Sequence, residues 1–241
     1  MKADLIARIA ARYPSGSMWD RFHLKQRLRA CPYEQLLPYF PDSGNVLDIG
    51  CGFGLLGWFL AETRPGLEYF GVDVDARKIE LAKLAFERHP SGSKAAHLHA
   101  GDIASWENRP PHFAVIAVLD VLYLLPIPLQ RRVVDEACLL LDKQPDAVLL
   151  LKILPPFRGP SRFRTWIQES LMVRVLRKTR SSGALFTSQD PRLYADWARA
   201  RGLDCREIVL PTSPASILLV LRPGDEQTAS SNRSKAERRA Q

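Results

Sequence analysis

Long apolar segments are missing from this sequence of 241 residues. A membrane-spanning helix needs roughly 18–20 consecutive apolar residues. The longest apolar stretch, 115–129, is interrupted by Asp120, Pro126 and Pro128. The N-terminal residues form a charged amphipathic stretch, which is unlike a signal peptide. We therefore expect a cytoplasmic protein, with attachment to the inner membrane surface as the alternative.

Cysteine is also scarce, with four residues scattered along the chain at positions 31, 51, 138 and 205. They form no CxxC pair, and no histidine follows at the spacing of a metal ligand. This pattern argues against a zinc site and against a disulfide framework, so we expect no metal. Buried thiols are the simplest interpretation.

The sequence is organised around a glycine-rich turn within residues 45–60, NVLDIGCGFGLLGWFL. A short apolar run ends at Ile49 and is typical of a buried parallel strand. Gly50, Gly52 and Gly54 follow at alternate positions, and a helical pattern begins after them. Strand, glycine turn and helix form the first half of a βαβ unit. The main chain of such a turn can approach a ligand closely.

Two kinds of ligand fit this turn. Residues 52–57 match GxGxxG, the dinucleotide pattern, but the tight turn directly after the strand is made by Gly50. Asp48 lies at the end of the strand, where a carboxylate would repel a pyrophosphate and attract a positively charged ligand. S-adenosylmethionine carries an ammonium and a sulfonium, so Asp48 favours this cofactor over a dinucleotide.

The segment VLDIGCGFG resembles motif I of the class I S-adenosylmethionine-dependent methyltransferases, and the likeness extends over about 45–223. The resemblance implies an α/β fold, a Rossmann-like three-layer sandwich. Its sheet would be mostly parallel and seven-stranded, with an antiparallel last strand. The resemblance also implies a methyltransferase activity (EC 2.1.1.-) and S-adenosylmethionine as the cofactor.

Further acids follow the later predicted strands. Asp73, in GVDVD, ends the second strand, where an acid can accept hydrogen bonds from ribose hydroxyls. By the resemblance, Asp102 would bind the adenine amino group and Ile103 would pack on the adenine ring. Asp120 and Tyr123 follow the fourth strand and are the candidates near the reacting methyl, with Asp120 also a cofactor residue. The predicted cofactor site therefore comprises Asp48, Gly50, Gly52, Gly54, Asp73, Asp102, Ile103 and Asp120.

The expected domain organisation has three parts: an N-terminal helical cap over 1–44, the methyltransferase domain over 45–223 and a disordered tail over 224–241. The domain contains a basic amphipathic insertion at 155–189. The net charge is +8, and its excess lies in 2–29 and 158–180. The insertion could pack on the sheet, form a lid, contact an anionic membrane surface or bind nucleic acid.

The segment after the fourth strand reads DVLY. Amino methyltransferases of this family that act on bases or glutamine often carry Asn/Asp-Pro-Pro-Tyr there, so the difference favours other acceptors. We expect a small-molecule acceptor that is apolar or similar to a lipid or polyketide. A tRNA or rRNA methyltransferase is the alternative, motivated by the charge. A non-catalytic scaffold of the same fold and a dehydrogenase are less favoured.

Overall fold

The computed structural model describes Tyr13 and residues 31–87, 96–154, 189–210 and 216–224. Seven strands form one sheet in the order β3-β2-β1-β4-β5-β7-β6. Their ranges are β1 Ser43–Ile49, β2 Gly66–Asp73, β3 Ala96–Ala100, β4 Val115–Leu119, β5 Val148–Ile153, β6 Leu203–Leu210 and β7 Ser216–Pro223.

Strands β1 to β5 run parallel to one another, whereas β7 is antiparallel to both β5 and β6. A short connection joins β6 to β7, and adjacent strands joined in this way must run in opposite directions. The predicted α/β fold, with its reversed last strand, is confirmed.

Five α-helices complete the described structure: α1 Tyr33–Leu36, α2 Leu55–Thr63, α3 Ala76–Glu87, α4 Ile127–Leu140 and α5 Pro191–Arg199. The central strands β4 and β5 are largely apolar and buried along their whole length. Because successive side chains point to opposite faces, both faces of the sheet are apolar there. Val46 and Val115 belong to a cluster formed with α2, and Leu47 and Ile116 belong to a second cluster formed with α4 and α5. The sheet therefore lies between two helical layers.

Some predicted element boundaries are wrong. The sequence predicts the fourth helix over 129–141, yet α4 begins at Ile127 and holds Pro128 in its first turn. Proline is tolerated there because the N–H groups of the first turn have no partner within the helix. The sequence also predicts a short helix over 33–40, where the structure has α1 followed by a 3-10 turn, Leu37–Tyr39, with Pro38 near its start. The sequence predicts the fourth strand over 113–119, and in the structure it begins at Val115.

Several predictions lie outside the described residues. These are the N-terminal helices apart from Tyr13 and from 31 onward, the basic insertion over 155–188, and the tail over 225–241. The domain boundaries therefore stay predictions. Within the described ranges, no helix is long and apolar enough to cross a membrane.

Candidate active site at the carboxyl ends of the parallel strands

The glycine turn links the end of β1 to the start of α2. Gly50, Gly52 and Gly54 all adopt left-handed backbone conformations, with φ of 77°, 56° and 70°. The turn is tied to β2, because the Gly50 N–H donates to the Val72 carbonyl at 2.7 Å. A Cβ on Gly50 would lie 2.3 Å from a methyl carbon of Val121, so this position requires glycine.

Asp73 is held across the gap between the glycine turn and the end of β2. Its Oδ2 accepts from the Gly52 N–H and its Oδ1 from the Asp75 N–H, each at 2.8 Å. A carboxylate oxygen can accept more than one hydrogen bond. The two main-chain donors therefore fix the carboxylate while leaving acceptor capacity for a ligand hydroxyl. Beside it the turn is open, since the nearest atoms to a Cβ on Gly52 would be 3.9 Å away.

Asp102 and Ile103 follow β3 but differ sharply in exposure. Asp102 caps a 3-10 turn, Ile103–Ser105, accepting from the Ala104 N–H at 3.1 Å. Its other oxygen lies 3.4 Å from a guanidinium nitrogen of Arg132, and both side chains are about half exposed. Ile103 is buried in the second core cluster, together with Val72.

Asp48 is buried beneath the glycine turn, with 4% of its surface exposed. The Tyr69 hydroxyl donates to its Oδ2 at 2.7 Å. Room for the Tyr69 ring comes from Gly57, where a Cβ would lie 2.5 Å from two ring carbons. Gly57 is a poor residue for a helix interior, and its place in α2 follows from this contact.

Cys51 lies beside this carboxylate within the turn. Burial raises the pKa of its thiol well above the ordinary value, and the negative charges of Asp48 and Asp73 raise it further. Cys51 is therefore a protonated, unreactive thiol at neutral pH.

Tyr13 also contacts the turn, since its hydroxyl donates to the Phe53 carbonyl oxygen. The pKa of this hydroxyl is likewise raised chiefly by burial.

Asp120 directly follows β4 and adopts an unusual backbone conformation. Among the described residues it is the one non-glycine with positive φ, at 59°. Its two carboxylate oxygens accept from the Lys152 ammonium at 2.8 and 2.7 Å. Lys152 lies near the end of β5, and its side chain is 4% exposed. The result is a buried ion pair between neighbouring strand ends.

Tyr123 is half-buried in a 3-10 turn, Leu122–Leu124, that follows Asp120. Gln130 binds the main chain directly after this turn, because its side-chain amide donates to the Leu125 carbonyl at 2.8 Å. Gln130 in turn accepts from the Tyr194 hydroxyl at 2.7 Å, which connects this segment to α5. Its backbone therefore has a defined place beside the sheet.

The predicted site residues come together along one edge of the sheet. Asp48, Asp73, Asp102 and Asp120 lie at or just beyond the ends of four strands that are adjacent in the order β3-β2-β1-β4. Ligands of open parallel sheets bind at this edge. Four carboxylates with one buried ammonium suit a ligand that carries positive charge and several hydroxyls.

Sequence reasoning missed three residues of this region. Lys152 was visible as the lone charge in the apolar run AVLLLKI, and a charge in a buried strand signals a buried partner. Tyr69 and Gly57 gave no comparable signal, because their contact depends on how α2 crosses β2.

Residues 46–144 match the family model described as a methyltransferase domain. The predicted resemblance to the class I S-adenosylmethionine-dependent methyltransferases is confirmed. The cofactor prediction is confirmed at the level of the family, whose methyl donor is S-adenosylmethionine.

Among curated proteins, the chain is 27% identical over 166 residues to a ubiquinone biosynthesis O-methyltransferase of Nitrosospira multiformis, covering 68% of this chain and 64% of that protein. It is 36% identical over 67 residues to the ribosomal RNA small subunit methyltransferase C of Acinetobacter baylyi, covering 27% of this chain and 20% of that protein. The matches thus span less than two thirds of these relatives.

Among solved structures, the magnesium protoporphyrin IX methyltransferase of Synechocystis, with bound SAH, superposes with a TM-score of 0.60 at 20% identity. The superposition covers 91% of this chain and 93% of that chain. At this identity the likeness concerns the fold.

Proposed function

We propose that this chain is an S-adenosylmethionine-dependent methyltransferase whose acceptor is an oxygen atom of a small, apolar molecule similar to a lipid or polyketide. The observation that carries the proposal is the open glycine turn with Asp73 fixed across from Gly52. That arrangement offers bare main chain and carboxylate acceptors at the sheet edge where ligands bind.

The residues present fit the cofactor. Asp73 would accept from the ribose hydroxyls, Asp102 would accept from the adenine amino group, and Asp48 would set a negative potential beneath the turn. When bound, S-adenosylmethionine supplies a methyl group already activated on a sulfonium. The task of the protein is then to align donor and acceptor and to exclude water, and the rigid glycine turn serves that alignment.

Asp120 supports an oxygen acceptor over an amino acceptor. Both of its carboxylate oxygens accept from Lys152, so a buried ammonium balances the charge of this carboxylate. A carboxylate balanced in this way attracts the amino group of a base less strongly than a free carboxylate does. It also repels an acceptor that reacts as an oxygen anion less strongly.

The extent of the sequence matches points the same way. The match to the O-methyltransferase of Nitrosospira multiformis extends over 68% of the chain, whereas the match to the RNA methyltransferase of Acinetobacter baylyi covers 27%. An RNA acceptor is the second candidate, favoured by the net charge of +8.

The two acceptor classes separate in one assay. The protein is incubated with S-adenosylmethionine tritiated on the methyl group, together with either a mixture of simple phenols and fatty acids or total bacterial tRNA and rRNA. Tritium in the organic phase supports the proposal. Tritium in acid-insoluble RNA, with the transfer abolished at high salt, supports an RNA acceptor instead. An Asp73→Ala variant controls for transfer that does not need the site.

The predicted membrane contact through 158–180 lies outside the described residues and stays a prediction, as does the cytoplasmic location.

A further inference from the structure

Asp120 is a predicted cofactor residue, but its ion pair with Lys152 plays no part in the cofactor contacts proposed above. The ammonium lies within hydrogen-bond distance of both carboxylate oxygens, at 2.8 and 2.7 Å. Both side chains are removed from solvent, with 4% of Lys152 and 12% of Asp120 exposed. A lysine at this depth in an apolar strand is unusual without a specific partner.

The pair lies in the wall of the candidate site. Lys152 is directly opposite Leu119 in the β4–β5 register, and Asp120 follows Leu119 at the carboxyl end of β4. The next residue, Val121, contacts the glycine turn at Gly50. The carboxylate and its ammonium are therefore adjacent to the turn where the donor is proposed to bind.

Stability alone gives a weak account of the pair. Burying two charges costs desolvation that their attraction only partly recovers, and apolar residues of similar size often serve equally well. Asp120 additionally adopts a left-handed backbone conformation, which is unfavourable for a residue with a side chain. What the pair does provide is a carboxylate whose charge is cancelled at close range.

Such cancellation matters for methyl transfer. As the bond from carbon to sulfur breaks and the bond from carbon to the acceptor oxygen forms, the sulfonium cation becomes a neutral thioether. A carboxylate with full charge beside the sulfonium would stabilise the reactant more than the transition state, which slows the reaction. It would also hold S-adenosylmethionine more tightly than the product S-adenosylhomocysteine.

We propose that Lys152 is a positioning residue that holds Asp120 beside the glycine turn and cancels its charge, so that Asp120 does not favour the sulfonium cofactor over the neutral product. This inference rests on the proposed function, because it requires both cofactor forms to bind. The measured quantity is the discrimination ratio, the dissociation constant of S-adenosylhomocysteine divided by that of S-adenosylmethionine.

A double-mutant cycle tests it by calorimetry with the two cofactor forms. Lys152→Met removes the ammonium, and we expect the ratio to rise by at least about five-fold, since a full carboxylate charge then attracts the sulfonium. Asp120→Asn leaves the ammonium, which repels the sulfonium, and should lower the ratio by at least about five-fold. The double variant carries neither charge and should return to within about two-fold of the wild-type ratio.

A merely structural role predicts something different. In that case Lys152→Met weakens both ligands by the same factor, and an unchanged ratio in either single variant overturns the inference. Should Lys152→Met fail to fold, Asp120→Asn and the double variant still decide. Lys143→Met, at an exposed position nearby in the chain, is the matched control and should leave the ratio unchanged. Failure of the wild-type protein to bind either form defeats the proposed function itself.

Discussion

Replacing Tyr69 by Phe removes one hydroxyl from beneath the glycine turn. In the structure this hydroxyl donates to Asp48 Oδ2 at 2.7 Å. Both residues are buried, with 2% and 4% of their surfaces exposed, so water cannot readily replace the lost donor. The variant keeps the ring that packs against α2 and takes away one hydrogen bond to a buried carboxylate.

The expected cost follows from the kind of bond. A hydrogen bond to a charged group contributes about 1.5–3 kcal/mol to stability, and we expect the free energy of unfolding to fall by about 2 kcal/mol. For a chain of this size that corresponds to a decrease in melting temperature of about 4–8 °C. Thermal unfolding followed by circular dichroism measures the change.

The control is Tyr39→Phe. Tyr39 is half-buried, and within the described ranges its hydroxyl has no hydrogen bond. Its loss should change the free energy of unfolding by less than about 0.5 kcal/mol. If the Tyr69→Phe and Tyr39→Phe proteins have the same melting temperature, the Tyr69–Asp48 hydrogen bond does not stabilise the turn.

Three further predictions concern the same region and its titrating groups. Gly57→Ala should destabilise by about 1–3 kcal/mol in urea unfolding, despite alanine's better helix propensity, because the new methyl overlaps the Tyr69 ring; an equal or higher stability would contradict the contact. Cys51 should resist iodoacetamide at pH 8 in the native protein and react once unfolded, because its thiol pKa is raised; rapid native alkylation, read by mass spectrometry, would oppose this. Stability should fall as pH rises above about 8.5, since thiols such as Cys138, whose pKa is raised from 9.0 to about 12, and buried phenols lose protons more readily when unfolded. Each group whose proton is retained by the native state alone lowers the free energy of unfolding by about 1.4 kcal/mol per pH unit, so urea midpoints constant from pH 8 to 11 would refute the shifts.

The parts of the site that could be predicted share one physical origin. The carboxyl ends of parallel strands meet at one edge, so an acid or a glycine that ends an apolar run is placed at the site by local pattern alone. Local pattern places Asp73 and Gly50 at this edge in this way. The seven-stranded, mostly parallel sheet was implied by the family resemblance, and its strand order was not predicted, because local patterns do not specify which strands become neighbours.

The parts that could not be predicted depend on tertiary register. Tyr69 and Asp48 are 21 residues apart in sequence, and Lys152 and Asp120 are 32 apart. Each pair meets only because of how strands align in the sheet. Helix α4 shows a different limit, since its first turn accepts Pro128 although proline usually signals a break.

The central claim is that the glycine turn and its carboxylates bind S-adenosylmethionine, and calorimetric titration tests it most directly. The wild-type protein is titrated with S-adenosylmethionine and, separately, with NADH. Asp48→Ala and Asp73→Ala test the site, and Asp146→Ala, at an exposed position, is the control. The account predicts binding of S-adenosylmethionine alone, weakened about ten-fold or more by Asp73→Ala and lost or weakened in Asp48→Ala, but unaffected by Asp146→Ala. Binding of NADH without S-adenosylmethionine would contradict it.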